Sequence, residues 1–442
     1  MRLAHLLLPV LAAASLAGNT LAQPPLPAPA GAPADRFDPR AVVAEVRRVI
    51  AERYVLPERR PALDAILARG LASGRYDVAG PLALAERVNA DLETVGHDRH
   101  LNFQYNPRQA DQLAAGRRPQ PDNTGYERQV RASNHGVTEL RLLSGNVRYM
   151  RYDGFLWIGQ ESAAALETAM RFLAGGDAAI IDLRRNGGGS GEAVQYIVSH
   201  FLPAERPLVT FYMNGQPDPD RVSTLAEVPA GRMVGKPLYV LISNGTGSAA
   251  EEFAGHVVGY HLGELVGENT AGAGFRNDLV AIPGGFVLSV SVGRAVLAST
   301  GRDWEGVGHA PTVPAEVGAA LDTAHALALR RLAAAAAGPE RARLEAAAEG
   351  VAARTARRPA ALPAAAYAGS YGERAISAEG DRLYYQRARR PRATLVALGG
   401  NLFTFEDDPG IRLEFLVTDG RATAFGVTAS GQPPQGPFQR TR

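Results

Sequence analysis

Ser243-Asn244-Gly245-Thr246-Gly247-Ser248-Ala249-Ala250-Glu251-Glu252-Phe253 is the stretch on which the fold turns. The apolar run over 237–242 ahead of it reads as a strand, and a helical pattern opens at Ser248 and continues through His261. A serine at a strand-to-helix turn projects its hydroxyl from a fixed position. The N–H groups that follow face the same space, and a helix N-terminus favours negative charge there. That arrangement suits an acyl-transfer nucleophile. Serine is also a preferred helix N-cap, so this residue alone does not decide between the two roles.

Working outward, strands and helices alternate. Strands are expected over 147–152, 178–183, 208–213, 238–242, 264–266 and 286–292, with helices over 162–174 and 192–201. The alternation predicts an α/β layer architecture. Upstream, helical spacing recurs over 40–58, 60–74 and 80–95 and ends at Gly96-His97-Asp98-Arg99-His100. Downstream, short strand-like runs separated by Gly and Asp turns predict a small all-β domain. The expected organisation is a signal peptide at 1–22, a Pro/Ala-rich linker at 23–36 and a helical N-terminal cap at 37–105. A connector at 106–145, irregular over 106–125, a core at 146–321, a helical linker at 322–360 and the β domain at 361–442 complete it.

Composition narrows the function. A chain of 442 residues exceeds one ordinary core. A net charge of only +2 gives no footprint for nucleic acid or an anionic membrane surface. Arg2, the apolar run over 6–16 and Thr20-Leu21-Ala22 have the order of a secretory signal. No other run approaches the roughly 20 apolar residues of a membrane span. With no cysteine there are neither disulfides nor a lipid-modified N-terminus. A periplasmic or secreted protein is expected, without cofactor or metal.

A serine hydroxyl needs a base within hydrogen-bond reach. The single lysine, Lys236, lies at the far end of the strand that leads to Ser248. Six residues at strand rise put it roughly 20 Å away. Histidine is left to serve. Among nine histidines, His97 and His100 sit together at a helix-to-strand junction, where side chains can enter a cleft. As a metal pair, His97-x-x-His100 lacks a third ligand. Glu251 and Glu305 are candidates to orient a base. Glu251 equally fits a capping box, Ser248-x-x-Glu251, and Glu305 equally fits a solvated loop. Asn186-Gly187-Gly188-Gly189 would offer exposed main-chain N–H groups to an oxyanion. No Gly-Lys-Ser/Thr follows it, so a phosphate loop is excluded.

Taken together, four segments resemble the tail-specific, or C-terminal processing, peptidases of family S41. They are Asp98-Arg99-His100-Leu101, the run from Ile181 to Gly189, the run from Thr246 to Phe253, and Gly267-Glu268-Asn269-Thr270-Ala271-Gly272-Ala273-Gly274. Trp304-Glu305-Gly306-Val307-Gly308 is a weaker fifth. The subgroup resembled lacks a PDZ insert and is similar to interphotoreceptor retinoid-binding protein. The resemblance implies a crotonase-like superhelical core, a nucleophile at Ser248, and oxyanion donors at Ala249 and at Gly187 or Gly188. The base of the lysine-dependent branch falls on Ala273, which excludes that mechanism. The tricorn-like branch matches its histidine to His100 and its glutamate to Glu305, with Glu251 and His97 as accessory candidates. The substrate implied is a peptide or protein. A binding protein for hydrophobic small molecules on the same scaffold, and a non-catalytic envelope scaffold, stay open as alternatives.

Overall fold

Two apolar runs, Ala178–Asp182 and Leu238–Ile242, lie side by side as parallel strands inside a six-stranded sheet. Every residue of both is buried. Neither alternates in sequence because helices cover both faces. Helices Gln160–Ala174, Gly191–Val198 and Ala249–Gly259 pack on one side, where Ala179, Ile181 and Val240 point. Helix Ala320–Ala335 covers the other, setting Ala320, Ala324 and Ala328 against Ile180, Tyr239 and Leu241. The sheet runs in the order Val313–Pro314, Gly263–Gly267, Leu238–Ile242, Ala178–Asp182, Val147–Tyr152, Val137–Leu143. Only the last pairing is antiparallel.

The computed structural model describes residues 38–115, 123–356 and 358–441. The expected signal at 1–22 and linker at 23–36 lie outside them. Among the described residues, no helix is long and apolar enough to cross a membrane.

A second, antiparallel sheet carries the N-terminal helices. Asn102–Tyr105, Phe286–Leu297, Pro207–Met213 and Asp220–Ser223 follow one another, and Phe275–Ile282 also pairs with Phe286–Leu297. Residues two apart on a strand share a face. Phe286, Leu288, Val290 and Val292 accordingly meet the helices, while Ala295 and Leu297 join the main core. Helix Pro39–Arg53 starts where the Asp38 carboxylate accepts the Arg40 N–H at 2.9 Å, with a proline in its first turn. It buries Val42, Val43, Val46, Val49 and Ile50, the stripe its spacing predicts.

The connector expected at 106–145, irregular over 106–125, carries regular elements among its described residues. It holds helices Pro107–Ala114 and Asn123–Ala132 and strand Val137–Leu143. That strand closes the sheet's edge with mostly outward-facing residues, Glu139 and Arg141 among them, so its sequence carries no buried alternation. The C-terminal region is an eight-stranded antiparallel sheet from Gly369 to Gln439 with its own core of Tyr367, Tyr371, Leu413, Phe415 and Phe425. Thr441 N–H donates to the Ser370 carbonyl at 2.8 Å, which nearly closes the sheet into a barrel.

Candidate functional site

Ligand crevices of parallel sheets form at the carboxyl ends of the strands. Here two turns meet at those ends, one after Ala178–Asp182 and one after Leu238–Ile242. Side chains lock them together. Ser243 Oγ donates to the Arg184 carbonyl (2.7 Å) and Thr246 Oγ1 to the Leu183 carbonyl (2.8 Å). Buried Asn186 donates to the Tyr152 carbonyl (2.8 Å), while its own carbonyl accepts the Gly247 N–H (3.0 Å). Below the turn, Asp182 accepts from Tyr149 Oη and from Arg184 Nε and Nη2. The Arg184 charge and hydrogen bonds hold the Asp182 carboxyl below its ordinary value although burial opposes them.

Ser248 sits in the space these turns enclose, with φ 51° and ψ −121°. A positive φ is rare for a residue with a Cβ and costs about 1–3 kcal/mol unless the surroundings impose it. Glu251 imposes it. Its side chain is wholly buried, and the carboxylate accepts four hydrogen bonds. They come from Ser248 N–H (3.0 Å), Thr270 Oγ1 (2.6 Å), Gly272 N–H (2.6 Å) and Ala273 N–H (2.8 Å). The capping-box reading of Glu251 therefore holds for its bond to Ser248 N–H, and the carboxylate also binds a second loop. Glu251 N–H goes to the Ser248 carbonyl at 2.8 Å.

The same loop continues to the histidine. Glu305 Oε2 accepts Gly274 N–H (2.5 Å) and Phe275 N–H (2.8 Å). Four successive amides, Gly272 to Phe275, are thus divided between two carboxylates. One of these also holds the Ser248 main chain, and the other faces His100, with Oε2 at 4.0 Å from Nδ1. The Glu305 side chain is only 4% exposed. Burial and the nearby Asp98 charge push its pKa up to about 7, against the main-chain N–H groups. Burial lowers the His100 pKa, offset in part by the charges of Asp98 and Glu251. That direction favours the neutral imidazole, the form able to accept a proton.

Strand Asn102–Tyr105 anchors His100 through its pairing with Phe286–Leu297, and Ser289 Oγ donates to the His100 carbonyl. Asp98 Oδ1 accepts the N–H groups of His100 (2.9 Å) and Leu101 (3.2 Å), shaping the turn. His97 stands apart: it caps helix Pro81–Gly96 in a left-handed conformation with its side chain exposed. Lys236 is engaged at the opposite end of the sheet, donating to the Ala174 and Gly176 carbonyls.

Of the N–H groups expected to serve an oxyanion, those of Ala249 and Gly187 have no acceptor among the described residues. Gly188 N–H is taken by Asn186 Oδ1 at 2.9 Å. Gly188 contributes by close approach instead. A Cβ there would lie 2.7 Å from Ser248 Cβ and 2.9 Å from Ala249 N, at a φ of +110°. A cleft of about 360 Å³ opens beside Ser248 and Ala249, walled by Glu192, Glu252, Phe275, Arg276 and Trp304. Sequence reasoning missed Asp98 and these walls. Asp98 lay inside the Asp98-Arg99-His100-Leu101 segment and could have been flagged there.

Residues 146–315 match the family model of peptidase family S41, and residues 36–133 match that of the N-terminal domain of peptidase S41 in eukaryotic IRBP. The carboxyl-terminal-processing protease of Synechocystis sp. is 31% identical over 146 residues, 32% of this chain and 33% of that protein. Its counterpart in Picosynechococcus sp. is 30% identical over 146 residues, 32% of this chain and 34% of that protein. The chain spans about a third of the length of these curated relatives. A solved photosystem II D1 C-terminal processing protease superposes with a TM-score of 0.42 at 18% identity, over 64% of this chain and 94% of that one.

Proposed function

Since residues 146–315 form a domain of peptidase family S41, we propose that this chain is an exported serine peptidase in which Ser248, His100 and Glu305 hydrolyse peptide bonds through an acyl-enzyme. His100 takes the Ser248 hydroxyl proton as Oγ attacks the peptide carbonyl carbon. Ala249 N–H and Gly187 N–H receive the developing oxyanion. The imidazolium then gives its proton to the leaving amine, the C–N bond breaks, and Ser248 carries the acyl group. Water, deprotonated by His100, attacks the ester, and the returning proton restores the serine as the acid product leaves. The Glu305 carboxylate faces Nδ1 at 4.0 Å and would orient the imidazole by closing on it, which leaves Nε2 for the hydroxyl.

The observation that carries this reading is the shared loop. Glu251 fixes Ser248 and the amides of Gly272 and Ala273, and Glu305 beside His100 fixes the next two. A substrate chain lies in the cleft beside Ser248 and Ala249. We read the core as crotonase-like with the N-terminal helices as its cap, and the 1–22 segment as the export signal. The test is cleavage of an unfolded protein and of a mixed peptide library. Wild-type protein cuts both and Ser248→Ala cuts neither. Retained cleavage by a folded Ser248→Ala protein would refute the assignment.

A further inference from the structure

Asp98 Oδ2, His100 Nδ1 and Glu305 Oε1 are buried around the imidazole without a hydrogen bond of ordinary geometry, and the buried Tyr54 hydroxyl lies beside the Asp98 carboxylate. One ligand atom from each of Asp98, His100 and Glu305 lies within 4.8 Å of the others. Asp98 is 2% exposed, and no arginine or lysine among the described residues pairs with either carboxylate. Unpartnered buried polar atoms are costly. With Glu305 Oε2 4.0 Å from Nδ1 and Asp98 beside them, the cluster gathers lone pairs of two carboxyl groups and an imidazole in a single small volume.

We propose that the Asp98–His100–Glu305 cluster binds one Zn²⁺ ion, and that the bound ion reversibly shuts off the peptidase site. One imidazole nitrogen with two carboxylate oxygens suits zinc. Calcium and magnesium prefer all-oxygen sets. Two carboxylates neutralise the dication, and water completes the tetrahedron. Zinc–ligand bonds of about 2.0–2.2 Å put tetrahedral ligands roughly 3.4 Å apart. The present spacing must therefore contract by up to about 1.4 Å on that estimate. His100, whose side chain is 19% exposed, gives both the freedom and the way in. The other two ligands are already braced: Asp98 through Oδ1 on two N–H groups, and Glu305 through Oε2 on two more. Each keeps its second oxygen for the ion. His97 is not part of the set: Asp98, two residues before His100, and Glu305, brought in by folding, are the other two ligands.

The inhibition, unlike the binding, rests on His100 being the base. A metal on Nδ1 leaves the imidazole proton on Nε2. The nitrogen that must accept the serine proton then carries one already.

The test uses the full chain as the Ser248→Ala variant, titrated with ZnCl₂ against a competing chelator in a calorimeter. One ion per chain at micromolar or tighter affinity is expected. Asp98→Asn and Glu305→Gln, each shown folded by circular dichroism, are expected to weaken binding at least tenfold. His97→Ala is expected to leave it unchanged. No binding, equal affinity in all variants, or loss only with His97→Ala overturns the site. In wild-type protein, zinc is expected to slow fluorophosphonate labelling of Ser248, and EDTA to restore it. Site-dependent binding with unslowed labelling overturns the inhibition and with it His100 as base. Failure to label without zinc would count against the peptidase reading alone.

Discussion

Replacing Glu251 by glutamine changes one oxygen to an NH₂ group in a position that now accepts four hydrogen bonds. In one orientation the new NH₂ faces the N–H groups of Ser248 and Ala273, leaving two donors without acceptors. In the other it can donate to Thr270 Oγ1, whose hydroxyl can turn, but it still opposes the Gly272 N–H. At least one buried main-chain donor is orphaned in either case, and the remaining bonds lose their charge. An orphaned buried donor costs about 1–3 kcal/mol and loss of charge assistance adds to it, so about 2–5 kcal/mol is expected. Because the C-terminal barrel has its own core, a global melt could miss a local loss. Hydrogen exchange of the amides over 248–255 reads the opening of this region directly. Exchange should accelerate roughly 30- to 4,000-fold at about 1.4 kcal/mol per decade, with the barrel amides unaffected. Acceleration below about threefold would show that Glu251 does not hold the turn, since the smallest expected cost already gives about 30-fold.

Gly188→Ala should lower activity at least tenfold, because its Cβ would lie 2.8 Å from the Gly247 carbonyl oxygen and 2.7 Å from Ser248 Cβ. Overpacking of this kind costs about 1–3 kcal/mol, and peptide cleavage at wild-type rate would contradict it. Arg184→Ala leaves the Asp182 carboxylate buried with only Tyr149 as side-chain donor. It should cost about 3–5 kcal/mol, read by the same exchange experiment over 183–189. Burial and the neighbouring His256 lower the His309 pKa from 6.5 to about 4, a main-chain bond to Glu251 notwithstanding. The unfolded chain therefore binds the proton first as pH falls. Stability should be full above the ordinary histidine value and decline by up to about 3 kcal/mol toward pH 4. A His309→Gln protein should lose that slope in a series of melting temperatures, and an unchanged slope would assign it to other groups.

The parallel strands were legible because burial on both faces writes itself as unbroken apolar runs, as in Leu238–Ile242. The remoteness of Lys236 followed from strand rise alone, and its bonds to Ala174 and Gly176 place it at the opposite end from Ser248. The strand Phe275–Ile282 was not legible. Arg276, Asn277 and Asp278 open Phe275–Ile282 with outward polar groups that read as loop. The serine turn was readable as geometry, whereas the reach of Glu251 was not. Ser248-x-x-Glu251 is local and predicts one bond, but Thr270, Gly272 and Ala273 come to the carboxylate only through the tertiary fold. Asp98 itself stood in the Asp98-Arg99-His100-Leu101 segment, but its closeness to Glu305, far along the chain, was hidden for the same reason.

The central claim is that an imidazole activates one serine. Reaction with a fluorophosphonate probe, followed by peptide mapping, tests it most directly. The account predicts a single adduct on the peptide carrying Ser248, formed at least about a hundredfold more slowly in His100→Gln, as expected when a general base is removed. Modification of another residue, or an undiminished rate in His100→Gln, would contradict it.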